Sequence, residues 1–118
     1  MRLTPPTTVK AVAKRALAWR RYYGRGGLTP AEASRQGIFS GVTRAQQLAS
    51  GQPLEVEEIK RIAAYFSRHQ KDRLAPGFDD MHNPSNGRIA WDLWGGDPMW
   101  HWVEGVLDTL PRDLGGRA

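Results

Sequence analysis

Seven basic side chains in the first half of the chain, Lys10, Lys14, Arg20, Arg21, Arg25, Arg35 and Arg44, have the chemistry to neutralise phosphates. Lys10, Lys14 and Arg21 lie four and seven residues apart, so a helix sets them in one basic stripe. Ser40, Thr43, Arg44 and Gln47 follow within one short segment. Arginine and glutamine suit bidentate contacts to guanine and adenine edges, and serine or threonine suits phosphate oxygens. Together these ten positions predict a nucleic-acid-binding surface, with DNA ahead of RNA as the partner.

The position of the charge sharpens that expectation. Residues 1–50 carry nine basic groups against one acid, a formal +8, whereas residues 51–118 carry eight against eleven, a formal −3. A basic half on a small domain is the footprint expected for a polyanionic partner. Other chemistries lack their residues. With no cysteine, thiol catalysis, disulfides and thiolate metal sites are excluded. No serine, histidine and acid set, phosphate loop or placed acid pair stands out, so a non-enzyme without cofactor or metal is expected. Asp79, Asp80 and His82, even with His69, fit no familiar ligand spacing. Trp91, Trp94 and Trp102 are expected in the core, whereas Trp100 falls off the Met99/Val103/Val106 face and is expected as an exposed partner-binding anchor.

The elements that must carry these residues read as helices. The chain of 118 residues is 40% hydrophobic and 25% charged, ordinary for one compact domain. Apolar residues from Val9 to Trp19 predict an amphipathic helix from a Thr8 cap to Tyr23, ended by Gly24, Gly26 and Gly27. Thr29-Pro30-Ala31-Glu32 is a capping box with proline at the first helical position, opening a short helix to about Gln36. After Gly37, Ser40 caps a second short helix that stops at Gly51, and Pro53 opens a third whose Val56, Ile59, Ile62, Ala63 and Phe66 form a core face. A surface loop is expected from Lys71 to Pro84. Ser85 then caps a helix to Gly95-Gly96, and Asp97-Pro98 opens the last, which runs to Leu110 before Pro111 and completes a Trp-rich part, residues 85–111. No strand of alternating pattern is present, so the fold class is all-α: a single compact domain of about six helices spanning residues 1–118.

Two resemblances bear on function. The stretch Thr29 to Phe66, with Ala33, Gly37, Ile38, Gly51 and Pro53 in order, resembles the repressor-type helix-turn-helix of phage repressor and Cro-like proteins. This resemblance implies that Ser40, Thr43, Arg44 and Gln47 lie on the helix that faces bases or phosphates. The sequence departs from the pattern at Ser34 and Thr43, where that family buries apolar residues. A wider resemblance, over roughly residues 14 to 103, rests on Arg25-Gly26-Gly27, Gly41-Val42-x-Arg44-Ala45-x-x-Leu48-Ala49-x-Gly51, Tyr65-Phe66-x-Arg68-His69 and Pro84-Ser85-x-Gly87-Arg88-Ile89-Ala90-Trp91-x-Leu93-Trp94-Gly95-Gly96-Asp97. That pattern is similar to a small module carried by tailed phages and prophages, also found beside head-maturation proteins. It implies a phage setting: the cytoplasm of an infected bacterium, or the virion.

The expectation is therefore a non-catalytic, phage-encoded nucleic-acid-binding accessory protein. The alternatives are a head-associated structural or decoration protein and a small inhibitor that binds a host protein. No apolar run approaches the roughly 20 residues of a membrane span. The basic N-terminus leads into an amphipathic segment, so a soluble, unexported protein without a membrane partner is expected. The composition leaves oligomeric state open.

Overall fold

The computed structural model describes all 118 residues, and the fold is all-α with six α-helices. They are α1 (Thr7–Tyr23), α2 (Pro30–Gln36), α3 (Gly41–Ala49), α4 (Val56–His69), α5 (Asn86–Leu93) and α6 (Gly96–Thr109). Short 3-10 turns follow α4 at Gln70–Leu74 and α6 at Arg112–Leu114. α1 packs on α3, α5 and α6, and α4 packs on α6, so α5 and α6 are shared between the two sides of the molecule.

The caps explain where the short helices begin. The Thr29 hydroxyl accepts from the Glu32 N–H while the Glu32 carboxylate accepts from the Thr29 N–H, the reciprocal pair expected from the sequence. The Ser40 hydroxyl accepts from the Thr43 N–H at 3.1 Å and donates to the Leu28 carbonyl at 2.9 Å. It is buried and therefore both starts α3 and ties it to the preceding turn. Ser40→Ala is expected to cost about 1–2 kcal/mol, the range for a lost cap, read as a lower urea midpoint with an unchanged slope.

Three boundaries differ from the expectation. α1 starts after Pro6 rather than at a Thr8 cap. α4 starts at Val56, because Glu55 is its cap and shares a box with Glu58. Pro53 instead precedes a two-residue strand, β2 (Leu54–Glu55), which pairs antiparallel with β1 (Arg2–Leu3). Two residues leave no alternation to read, so this clasp between the N-terminus and α4 was invisible to pattern. Finally, Gly95 caps α6, and Asp97 and Pro98 lie inside its first turn.

The core follows the predicted faces. Ile59, Ile62 and Phe66 of α4 and Trp91, Leu93, Met99 and Val103 of α5 and α6 are essentially inaccessible. Burial of each such side chain contributes about 1.5–3 kcal/mol before entropy is counted. Trp91 is central, packed edge-to-face on Phe66 at 4.6 Å, with its indole N–H donating to Asp97 at 2.9 Å. Two glycines admit close contacts elsewhere in the core. Gly26, at φ +86°, sits where a Cβ would lie 2.5 Å from the Ile89 Cβ, and Gly95, at φ +105°, where one would lie 2.4 Å from the Met99 Cβ. The glycines in Arg25-Gly26-Gly27 and Trp94-Gly95-Gly96 therefore serve helix packing.

The segment from Lys71 to Pro84 is ordered by specific anchors rather than being a plain surface loop. Phe78 is buried, Arg88 donates to the Phe78 carbonyl at 2.7 Å, and Arg25 donates to the Pro84 carbonyl at 2.8 Å and to Asn83 and Asn86. No helix is long and apolar enough to cross a membrane.

Candidate nucleic-acid interface

The predicted phosphate contacts separate into two groups. Lys10, Lys14 and Arg21 are exposed along one side of α1, and Arg35 is exposed on α2. None of these four has an acidic partner within 4 Å. The α1 stripe spans about 16 Å at 1.5 Å per residue, about half a turn of duplex DNA.

Arg20, Arg25 and Arg44 are engaged inside the protein. Arg20 donates to Glu32 at 3.1 Å. Hydrogen bonds from Thr29, with Arg20 and Arg35 close by, hold the Glu32 carboxyl below its ordinary value. Arg25 is the clamp on residues 83–86 described above, with its guanidinium also 4.9 Å from the Tyr23 ring. A comparable exchange holds α1 to α5. Arg15 and Arg88 donate to the buried Asp92 carboxylate at 2.9 and 3.0 Å. Burial pushes the Asp92 carboxyl up, against the pull of the two arginines. Acids of the C-terminal half thus fold back onto cations of the N-terminal half, and the polarity of the sequence is partly cancelled in three dimensions.

The expected base-facing side of α3 is turned inward, which corrects the helix-turn-helix assignment of its side chains. Arg44 is 1% exposed. Its guanidinium lies 4.2 Å from the Phe39 ring and 5.0 Å from the Trp94 ring, donates to Gln47 at 2.6 Å and sits 3.8 Å from Glu58. Gln47 in turn donates to Glu58 at 2.8 Å, Ser40 is the buried cap, and Thr43 is half-buried. α3 packs on α1 and α5 through the side that carries Arg44, and its outer side presents Gln46 and Ser50 rather than the predicted set. Burial pushes Arg44 down to about 10, still far above neutrality, so the side chain is a cation.

Trp100 is likewise corrected. It is partly buried against Trp91 at 5.5 Å and Phe66 at 6.5 Å, with the Arg73 guanidinium 5.0 Å from its ring. The aromatic rings left open to solvent are Tyr22, 82% exposed, and Phe39, 47% exposed. His69 pairs with Asp72 at 3.3 Å, and Asp80 accepts from the His82 and Asn83 N–H groups, so the loop acids and histidines are spread over separate contacts.

A groove of about 660 Å³ opens between α3, α4 and α5. Its wall is a run of rings: Trp94 lies parallel to Tyr65 at 4.5 Å, and Tyr65 stacks on His69 at 4.4 Å. Phe39 and Arg44 border Trp94, and Arg61, Arg68 and Lys71 supply exposed cations without acidic partners. Sequence reasoning passed over this site, although the signal was there. Arg61, Tyr65, Arg68 and His69 recur at i, i+4, i+7 and i+8, which is one stripe of α4 beside its core face.

Compared with family models, with curated proteins and with solved structures, the chain matches none.

Proposed function

We propose that this is a non-catalytic nucleic-acid-binding protein, with DNA as its first partner, acting in a phage-infected bacterium or in the virion. The observation that carries the reading is the α1 row of exposed cations without acidic partners, Lys10, Lys14 and Arg21, with Arg35 of α2, in a half of the chain whose Arg15, Arg20, Arg25 and Arg44 are engaged within the protein. Unpaired cations in a row keep their field for a polyanion, whereas paired ones do not. The acids support the non-catalytic part: Glu32 and Glu58 serve caps, and Asp92 is shared by two arginines. The glycine and aromatic pattern similar to the phage module supports the setting.

Anisotropy of a labelled random duplex tests this. The double reversal Lys14→Glu, Arg21→Glu is expected to weaken binding about tenfold or more, because two phosphate contacts become repulsions. Lys60→Glu, a residue already paired with Glu57 at 3.8 Å on α4, is expected to change it less than about twofold. Equal affinities for all three proteins contradict the reading. The second reading, a head-associated or host-protein-binding surface, is favoured by the adjacent exposed Ile38 and Phe39, and absence of binding at low salt would select it.

A further inference from the structure

We propose that the groove between α3, α4 and α5 binds a nucleotide in unpaired form, its base against the aromatic wall and its phosphate on Arg61, Arg68 and Lys71. The inference rests on the nucleic-acid reading above and names the ligand of a second site within it.

The charge of the lining points to the chemistry. Arg44 and Tyr65 line the groove from the core side, with the Arg44 Nε and the Tyr65 hydroxyl buried without a hydrogen-bond partner. Burial, with Asp72 and Asp92 nearby, pushes the Tyr65 phenol up, so it keeps its proton. Asn86 also lines the groove, and its carbonyl oxygen already accepts from Arg25. The only carboxylate in the lining is Asp72, which faces His69. Three exposed cations, the free amide group of Asn86 and one occupied acid ask for a ligand that carries acceptors and negative charge.

The apolar component narrows the class. Phe39 keeps nearly half of its ring open, and His69 is half-buried at the outer end of the Tyr65 stack. Planar rings with π-faces and edge acceptors suit such a wall, and base stacking on aromatic side chains is tolerant of sequence. The groove volume lies in the range of small-ligand pockets and is too small to admit a duplex. A base hidden in a stacked pair cannot present its face, so the ligand is a free mononucleotide or an unpaired nucleotide of a strand.

The test compares a labelled mixed-sequence single strand, the same strand with abasic residues and a duplex, with adenosine monophosphate and inorganic phosphate as competitors. The full-length protein is used as wild type and as Phe39→Ala, Arg61→Ala/Arg68→Ala and Lys14→Ala/Arg21→Ala. A single strand bound about tenfold more tightly than its abasic counterpart is the expected result for an unpaired nucleotide in a strand. Phe39→Ala should remove that preference and leave abasic affinity unchanged; Arg61→Ala/Arg68→Ala should weaken the single strand more than the duplex. A free-nucleotide site instead shows competition by adenosine monophosphate well beyond that by inorganic phosphate, or, without polymer binding, shifts of the Trp94 and His69 resonances with the monophosphate alone.

Equal affinity for normal and abasic strands, with no monophosphate effect, overturns the groove proposal while duplex binding leaves the broader reading standing. No binding of any polymer at low salt and no monophosphate shift overturns both. The abasic comparison needs no variant, so a poorly folded Phe39→Ala does not blunt it.

Discussion

Arg44→Ala is expected to lower stability by about 3 kcal/mol, well beyond the effect of removing a surface cation. The side chain is fully enclosed by Phe39, Trp94, Gln47 and Glu58, so truncation leaves a cavity and removes the positive charge opposite Glu58. Arg44→Lys should not restore it, because an ammonium lacks the flat surface that lies against both rings and the fork that reaches Gln47. Arg44→Met should recover most of the packing and give a clear rescue, since a hydrophobic isostere avoids the desolvation cost of the guanidinium. Urea midpoints for the three variants check this. A surface-like change, below about 0.5 kcal/mol for Arg44→Ala, would contradict the buried placement.

The pH dependence of that loss has a definite sign. The Glu58 carboxyl is held below its ordinary 4.5 although its burial acts in the opposite direction, because Gln47 and the Glu55 N–H donate to it and Arg44 is close. A depressed carboxyl contributes stability above the unfolded value that is lost as pH falls through the folded one. Without Arg44 part of that contribution disappears, so the gap between wild type and Arg44→Ala should be widest above about pH 4.5 and narrow in more acidic buffer.

Asp92→Ala is the second large effect, again about 3 kcal/mol. The carboxylate is 2% exposed and takes hydrogen bonds from Arg15 of α1 and Arg88 of α5. Its removal leaves two guanidinium groups facing each other across the helix contact with no negative charge between them. Truncating one member of a buried charge cluster costs about 3–5 kcal/mol, and the water access that Arg15 retains places this case at the lower end. Arg88 still holds the Phe78 carbonyl, so the 71–84 segment should keep its anchor while the α1–α5 contact loosens. Hydrogen exchange reads both: protection should fall in α1 and α5 first. Uniform loss across the molecule with an unchanged midpoint difference between regions would argue against a local α1–α5 tie.

The parts of this fold written in local chemistry were legible in the sequence. Thr29 to Glu32 announces a capping box, and Ile59, Ile62 and Phe66 announce a core face, because both signals lie within one turn or two of a single helix. Arg44 illustrates what was not. It stands three residues after Gly41 and four before Leu48, on the buried stripe of α3, yet an arginine on a short helix reads first as a surface cation. The partners that engage such cations are distant in sequence: Asp92 is 77 residues from Arg15, and Asn83 is 58 from Arg25. Charge counted by segment therefore overstated the free basic surface and missed the groove, which three separate helices assemble. The stripe of Lys10, Lys14 and Arg21 was readable because one helix builds it alone.

The most direct test of a nucleic-acid-binding role is the salt dependence of duplex affinity for the wild type and for Lys10→Ala/Lys14→Ala/Arg21→Ala. With Lys10, Lys14, Arg21 and Arg35 on phosphates, log Kobs should fall against log salt with a slope of about −4, and the triple variant should flatten it by about 3. A slope near zero, or the same slope in both proteins, would contradict the assignment of that stripe to phosphates.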